Sequence, residues 1–274
     1  MSSNLIEVSD YQVHRTADNK LDSKYKDIRD LALSGNLYYA DKLAFVWNFP
    51  AKVFKAFEDV YLLTYLFDGQ IQRYYYDLHG IEYEYYGVEK DTDGYKLVDR
   101  SFYNENRQSL KQLITVYEGP LNDIGTKNTA LSKSWFMNAR NSQNVKQLKN
   151  NNYNFFRNII GASSSQIIWT KFIDFENKLK GKGYSNGFTA FNLRATNEHV
   201  NKDTLAFCLN RFMNPIETAF FRQYNVEVNE DLLALSDLLQ WLFRSAIRVG
   251  KPVQVYVPSL RMRHLLIKWL NNEI

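Results

Sequence analysis

Apolar side chains recur along this chain in two rhythms, short continuous runs and positions three or four residues apart, and the two alternate. Residues 1 to about 40 show neither and predict an irregular or partly helical arm, with the first ten residues lacking order. From Leu43 the pattern sharpens. Leu43-Ala-Phe-Val-Trp47 is a short apolar run stopped by Asn48-Phe-Pro50, and Val53, Phe54, Phe57 and Val60 follow at helical spacing. Val60-Tyr-Leu-Leu-Thr-Tyr-Leu-Phe67 predicts a strand buried on both faces, ended by Asp68-Gly69. A helix over 70–78 and an alternating strand from Ile81 to Gly87 complete a strand, helix, strand order, which implies a parallel crossover. Asp91-Thr-Asp-Gly94 is a turn, and the polar stretch from there to about Arg140 yields no element.

Alternation resumes beyond it. The spacing predicts a helix over 145–160, a strand over 166–170, a helix over 172–179, a strand over 187–192 and a helix over 203–212. A long helix follows from Asn229, a capping residue, through Glu230 and Asp231 in its first turn to Gly250 just past its end. A strand over 253–257 and a helix over 261–271 close the series. Such alternation predicts a three-layer α/β fold with a mostly parallel sheet. The expected division is an arm and interdomain segment over 1–58 and one α/β domain over 59–274.

The long helix carries a polar stripe. Ser236, Gln240, Arg244 and Arg248 stand four apart among Leu238, Leu239, Trp241, Leu242, Phe243 and Ile247, so one face of a greasy helix is polar. Burying two unpaired guanidinium groups is costly, so the stripe predicts a cleft, a charged partner or water. The structural alternative is that the arginines pair with Asp237 or another carboxylate while Gln240 caps a backbone group.

Composition narrows the class. At 274 residues and 45% hydrophobic, the chain can build a full core. One cysteine, Cys208, sits among apolar neighbours, which excludes an intrachain disulfide and points to a reducing compartment. The N-terminus lacks a basic segment followed by an apolar one, and no apolar run approaches a membrane span of roughly 20 residues. The expectation is a soluble protein of the bacterial host cytoplasm. The net charge of +4 permits nucleic-acid binding without demanding it, but basic residues gather in the C-terminal half. Abundant Asn, Lys, Tyr and Ile suit an AT-rich source, such as a low-GC bacterium or its phage.

Two motifs carry a family likeness. Gln240-Trp-Leu-Phe-Arg-Ser-Ala-Ile-Arg248 resembles an arginine-finger motif, and Asn192-Leu-Arg-Ala-Thr-Asn197 resembles the preceding motif that couples nucleic acid to phosphate. Together with Leu179-Lys-Gly-Lys-Gly-Tyr-Ser185 and Val60 to Gln70, they make residues 40 to 274 similar to the second, RecA-like motor domain of superfamily 2 helicases of phage or plasmid type. The two arginines here stand four apart, and Phe243 fills the place of that family's glycine. The resemblance implies catalytic roles for Gln240, Arg244 and Arg248, because a guanidinium can neutralise charge on a transferring phosphoryl group. It implies nucleic-acid contacts, with DNA expected, for Lys178, Lys180, Lys182, Arg194, Thr196 and Asn197.

A motor also needs a phosphate-cradling Gly-rich loop and an acidic magnesium motif, and neither is written here; Gly125-Thr-Lys127 lacks the upstream glycine. The chain is therefore not expected to hydrolyse ATP alone. ATP and magnesium enter only if a nucleotide-binding motor domain or partner supplies their site. The rival expectations are a helicase-derived interaction module for a replication or defence protein, and an unrelated α/β enzyme acting on a small phosphorylated substrate. Arg261 and Arg263 read as a solvated helix face. His14, His79, His199 and His264 have no metal-ligand spacing, no nucleophile elbow occurs, and the tyrosines at 74–76 and at 83, 85 and 86 read as packing residues.

Overall fold

The computed structural model describes residues 6–9, 12–15, 26–40, 44–103, 105, 107–192 and 197–274. The chain forms two compact units: Met1–Tyr83 with Met213–Asn229, and Glu84–Phe212 with Glu230–Ile274. The boundary thus falls after Tyr83, not near residue 58, and the first unit recruits a later segment.

In the first unit, strands β1 (Ile6–Ser9), β2 (Gln12–Arg15), β3 (Leu37–Ala40) and β4 (Ala44–Trp47) form an antiparallel sheet in sequence order, with helix α1 (Lys26–Leu33) between β2 and β3, in place of the irregular arm expected up to about residue 40, because strand pairing supplies backbone partners that side-chain periodicity does not reveal. Helix α2 (Ile71–Leu78) fills the predicted 70–78 position. The apolar run at 60–67 is not a strand. Val60, Tyr61 and Leu63 are exposed, Leu63 by 91%, and Leu66 takes a left-handed conformation with φ 53°. A run of apolar residues becomes a buried strand only where neighbouring strands offer backbone partners.

The second unit opens with a hairpin, β5 (Tyr86–Asp91) and β6 (Gly94–Asp99), which replaces the expected parallel crossover. Its turn is the predicted one: the Asp93 amide donates to the Asp91 carboxylate at 2.9 Å, and Gly94 adopts φ 135°, open to glycine alone at no cost.

Then come α3 (Gln108–Leu113), β7 (Ile114–Val116), α4 (Lys133–Met137), α5 (Ser142–Tyr153), which runs on into a π-helical turn over Asn154–Ile159, β8 (Ile167–Thr170), α6 (Glu176–Leu179) and β9 (Thr204–Phe207). The chain visits the first unit for α7 (Pro215–Gln223), where Gln223 donates to the Tyr39 carbonyl at 3.0 Å and Phe220 meets Tyr38 edge-on. It closes the second unit with α8 (Glu230–Leu242), β10 (Val253–Tyr256) and α9 (Leu260–Leu270).

Strands β7, β10, β9 and β8, in that order, make a four-stranded parallel sheet. Every residue of β8 and β9 is buried, as parallel strands covered on both faces require. Trp169, Ala206, Cys208 and Tyr256 pack with Phe136, Leu148, Phe155 and Phe156 of the α4–α5 layer. The alternate positions face the other way, and Phe207 meets Trp241 of α8 at 5.4 Å. Three layers result, as expected.

Two element assignments change. Within 203–212 the chain forms a strand, Thr204–Phe207, and not a helix, because this stretch is buried on both faces and periodicity alone does not separate that from a buried helix. The segment 187–192 makes only a single parallel bridge, Trp169 with Phe188, after a 3-10 turn at Ser185–Gly187. Gly187 is required there, since a Cβ would stand 2.6 Å from the Ile167 carbonyl oxygen.

Candidate functional site

Open parallel sheets bind ligands at the carboxyl ends of their strands. At that edge Thr170 pairs with Phe207 in register, and the Cys208 amide donates to the Thr170 carbonyl at 2.9 Å. Lys171 therefore lies beside Cys208, on the Trp169 face of the sheet. Lys171 is 0% exposed, with its Nζ 4.6 Å from the centre of the Phe136 ring and 5.7 Å from that of Phe175. Burial pushes its pKa down to about 7. Burial also pushes the Cys208 thiol up to about 12, so it stays protonated, and its Sγ lies 3.2 Å from the Asn152 Oδ1. Tyr184, whose pKa burial raises, donates to the Leu179 carbonyl at 2.6 Å and closes the floor of this layer.

The polar stripe is elsewhere. Helix α8 ends at Leu242, and Ala246–Val249 form a separate 3-10 turn ended by Gly250 at φ 73°, so Arg248 leaves the face shared by Ser236, Gln240 and Arg244. The Ala246 amide donates to the Lys202 carbonyl at 2.8 Å, and Gln254 to the Asp203 carbonyl at 2.8 Å. Lys202 and Asp203 precede β9, which puts this end of α8 at the amino edge of the sheet, opposite the ligand-binding edge. Arg244 is 8% exposed and donates from Nε to the Gln240 carbonyl at 3.1 Å, while the Gln240 amide donates to the Ser236 hydroxyl at 3.1 Å. Two hydrogen bonds thus run along the stripe, one of them to a backbone carbonyl. Asp237 pairs with Arg211 at 2.7 Å. Arg248 is exposed. His199 lies in this neighbourhood, its pKa lowered first by burial and then by Lys202 and, more weakly, by Arg244.

Arg261 and Arg263 are not a solvated face. Arg261 reaches Asp231 at 2.6 Å, the Asn210 side chain at 3.0 Å and the carbonyls of Arg211 and Glu230, with its guanidinium 4.4 Å from the Phe212 ring centre. Arg263 donates to the Val257 and Pro258 carbonyls. Both tie the start of α9 to the strand ends, a use that sequence spacing does not reveal.

The lysine-rich segment forms a surface with α5. Lys146, Tyr153 and Arg157 are exposed, and Lys149 is half-buried beside them. The Tyr184 hydroxyl lies 3.3 Å from the Lys149 carbonyl. A Cβ on Gly183, itself at φ 83°, would meet the Arg157 guanidinium at 3.3 Å, so the 181–183 loop runs directly under Arg157. Lys180 pairs with Glu176 at 2.6 Å, and Lys178 lies 5.1 Å from the Phe175 ring centre. Lys182 is exposed. Arg194 and Thr196 lie outside the described residues, and Asn197 is exposed.

The model of the YonV C-terminal Rossmann-like domain matches residues 108–270, from the start of α3 through α9. The chain belongs to this family. The SPbeta prophage-derived uncharacterized protein YonV of Bacillus subtilis (strain 168) is 46% identical over 261 residues, which is 94% of this chain and 63% of that protein. The chain therefore spans less than two thirds of its relative's length. A prophage-derived relative agrees with the phage origin expected from composition, and neither description names a helicase. No solved structure matches.

Within the YonV C-terminal domain, the parallel sheet is the Rossmann-like core, a coarser fold than the RecA-like motor expected. Gly125 has a packing role there: a Cβ would stand 1.8 Å from the Pro258 carbonyl oxygen, so the glycine lets the turn after β7 lie against the start of α9. Among the described residues no cluster of His, Cys, Asp and Glu could hold a metal ion, and no helix is long and apolar enough to cross a membrane. Lys171 is the site residue that sequence reasoning passed over. Its signal was present: a lysine directly after a four-residue buried strand, followed by Phe172 and Phe175.

Proposed function

We propose that the YonV-type domain binds nucleic acid through the basic surface of α5, α6 and the 181–183 loop. Charge segregation carries this reading. Between residues 124 and 190 the chain has ten Lys and Arg against two acids, Asp174 and Glu176, an excess larger than the +4 of the whole chain. Lys146, Lys149 and Arg157 follow at helical spacing along α5 and its π-helical turn, with the exposed Tyr153 ring among them as a surface for base stacking, and the loop that carries Lys182 runs under Arg157. Phosphate binding of this kind releases counterions, so affinity falls steeply with salt. Titrating labelled single- and double-stranded DNA and RNA at several salt concentrations tests it. Each phosphate contact adds about 0.7 to 0.9 to the slope of log K against log salt. Binding that is absent, or indifferent to salt and to Lys146→Glu with Lys182→Glu, rejects the reading.

A second reading, completion of an ATP and magnesium site on a nucleotide-binding partner, rests on Arg248, the exposed member of the stripe. Partner-dependent ATP hydrolysis unchanged by Arg248→Ala removes it.

A further inference from the structure

Lys171 has no hydrogen-bond partner at Nζ among the described residues. The Phe136 and Phe175 rings against it stack on each other at 5.5 Å and 19°. The charged or protic groups that face it are Cys208, directly after β9, and Lys178 and Glu176 from α6, and Glu176 is already taken by Lys180. A buried amine without a counter-charge costs stability that a Met or Leu at the same place would not. On its outer side, Phe175 is only partly buried and carries the Lys178 ammonium 5.1 Å from its ring centre. One aromatic ring thus separates a buried amine at the carboxyl edge of the sheet from a cation at the surface.

We propose that Lys171 is a nucleophilic amine that captures a small anionic aldehyde or ketone as an imine, with Phe175 swinging aside and Lys178 holding the anionic group. The Lys171 nitrogen lone pair bonds to the carbonyl carbon, and the two amine hydrogens leave with the carbonyl oxygen as water, so no oxidant or reductant is needed. Burial supports this chemistry: a pKa of about 7 leaves half of the amine unprotonated at neutral pH, against fewer than about one in a thousand for an ordinary lysine. Lys178 of α6 is shared with the proposed nucleic-acid surface, but an adduct on Lys171 forms beneath that surface and is read whether or not nucleic acid binds.

Pyridoxal 5′-phosphate, an aldehyde with an attached phosphate, is a suitable probe. The protein is incubated with it across pH 5.5–10, reduced with borohydride, digested and mapped by mass spectrometry, with unphosphorylated pyridoxal in parallel. The expected result is a reduced adduct on Lys171 ahead of exposed lysines such as Lys182, with a rate half-maximal near pH 7. Lys171→Met, close in volume, removes that adduct and leaves the slower ones. Lys178→Ala, at a surface position that does not threaten folding, cuts the preference for the phosphorylated aldehyde by about tenfold, the worth of one ionic contact. Labelling of Lys182 while Lys171 stays unmodified overturns the proposal. So does a Lys171 rate that rises only towards pH 10, or a Lys178→Ala variant with the preference intact.

Discussion

Lys171 and Arg244 are both buried cations, but the molecule satisfies them differently. Arg244, two residues past the end of α8, donates its Nε to the Gln240 carbonyl inside that helix. Replacing it with Ala removes a charge-assisted bond and the packing of its stem, and is expected to cost about 1.5–3 kcal/mol in urea unfolding. An unchanged midpoint would return Arg244 to the list of groups held in reserve for a partner. Lys171 has aromatic faces in place of an acceptor, and its pKa falls from 10.5 to about 7. Between those values the unfolded chain binds the proton and the folded one does not, so folding stability rises with pH through this window. Below pH 7 both states are charged, and the full burial penalty of a few kcal/mol is present. Lys171→Met should therefore stabilise the protein most at pH 6 and progressively less up to pH 10.5. A difference between variant and parent that does not vary with pH would show that Lys171 is not buried as a charge. Little of this was legible at the residue scale. The stripe of polar positions was visible, but the end of α8 at Leu242 was not, and that end is what separates Arg248 from Arg244.

Elements were legible where one period dominated. The helices near 145, 230 and 261 and the strands near 166 and 253 lie where periodicity placed them, because each has a distinct apolar face or a short run bounded by polar residues. Failures occurred where an apolar run had two readings. Thr204–Phe207 is buried as a strand, while 60–67 is equally apolar and largely exposed. Local composition was similar, and only the availability of neighbouring strands decided the outcome. Glycine positions were a better guide to close approaches than to phosphate loops. Gly125→Ala drives a Cβ into the Pro258 carbonyl, backbone against backbone, which no rotamer relieves. A loss of about 1–3 kcal/mol, from forcing the turn after β7 away from the start of α9, is the expected cost. A thermal midpoint equal to the parent's would mean that this contact is not made in solution.

For the whole molecule, the informative quantity is where charge lies, since a net +4 on 274 residues is unremarkable by itself. Total and distribution can be separated by experiment. Reversing Lys146, Arg157 and Lys182 to Glu takes the net charge from +4 to about −2 and places the change on the α5–α6 face. Reversing Lys52, Lys55 and Lys251, all exposed and outside that face, changes the total by the same amount. If general attraction governs binding, the two variants lose affinity equally, because at low salt a distant nucleic acid responds to the summed field. Defined phosphate contacts predict a different pattern. The first variant should lose at least tenfold in affinity and about 2–3 units of salt slope, one unit per contact removed, while the second keeps the parental slope and loses affinity only at the lowest salt. Equal losses with equal slopes would reduce the basic face to a diffuse field and leave the YonV-type domain without an assigned nucleic-acid surface.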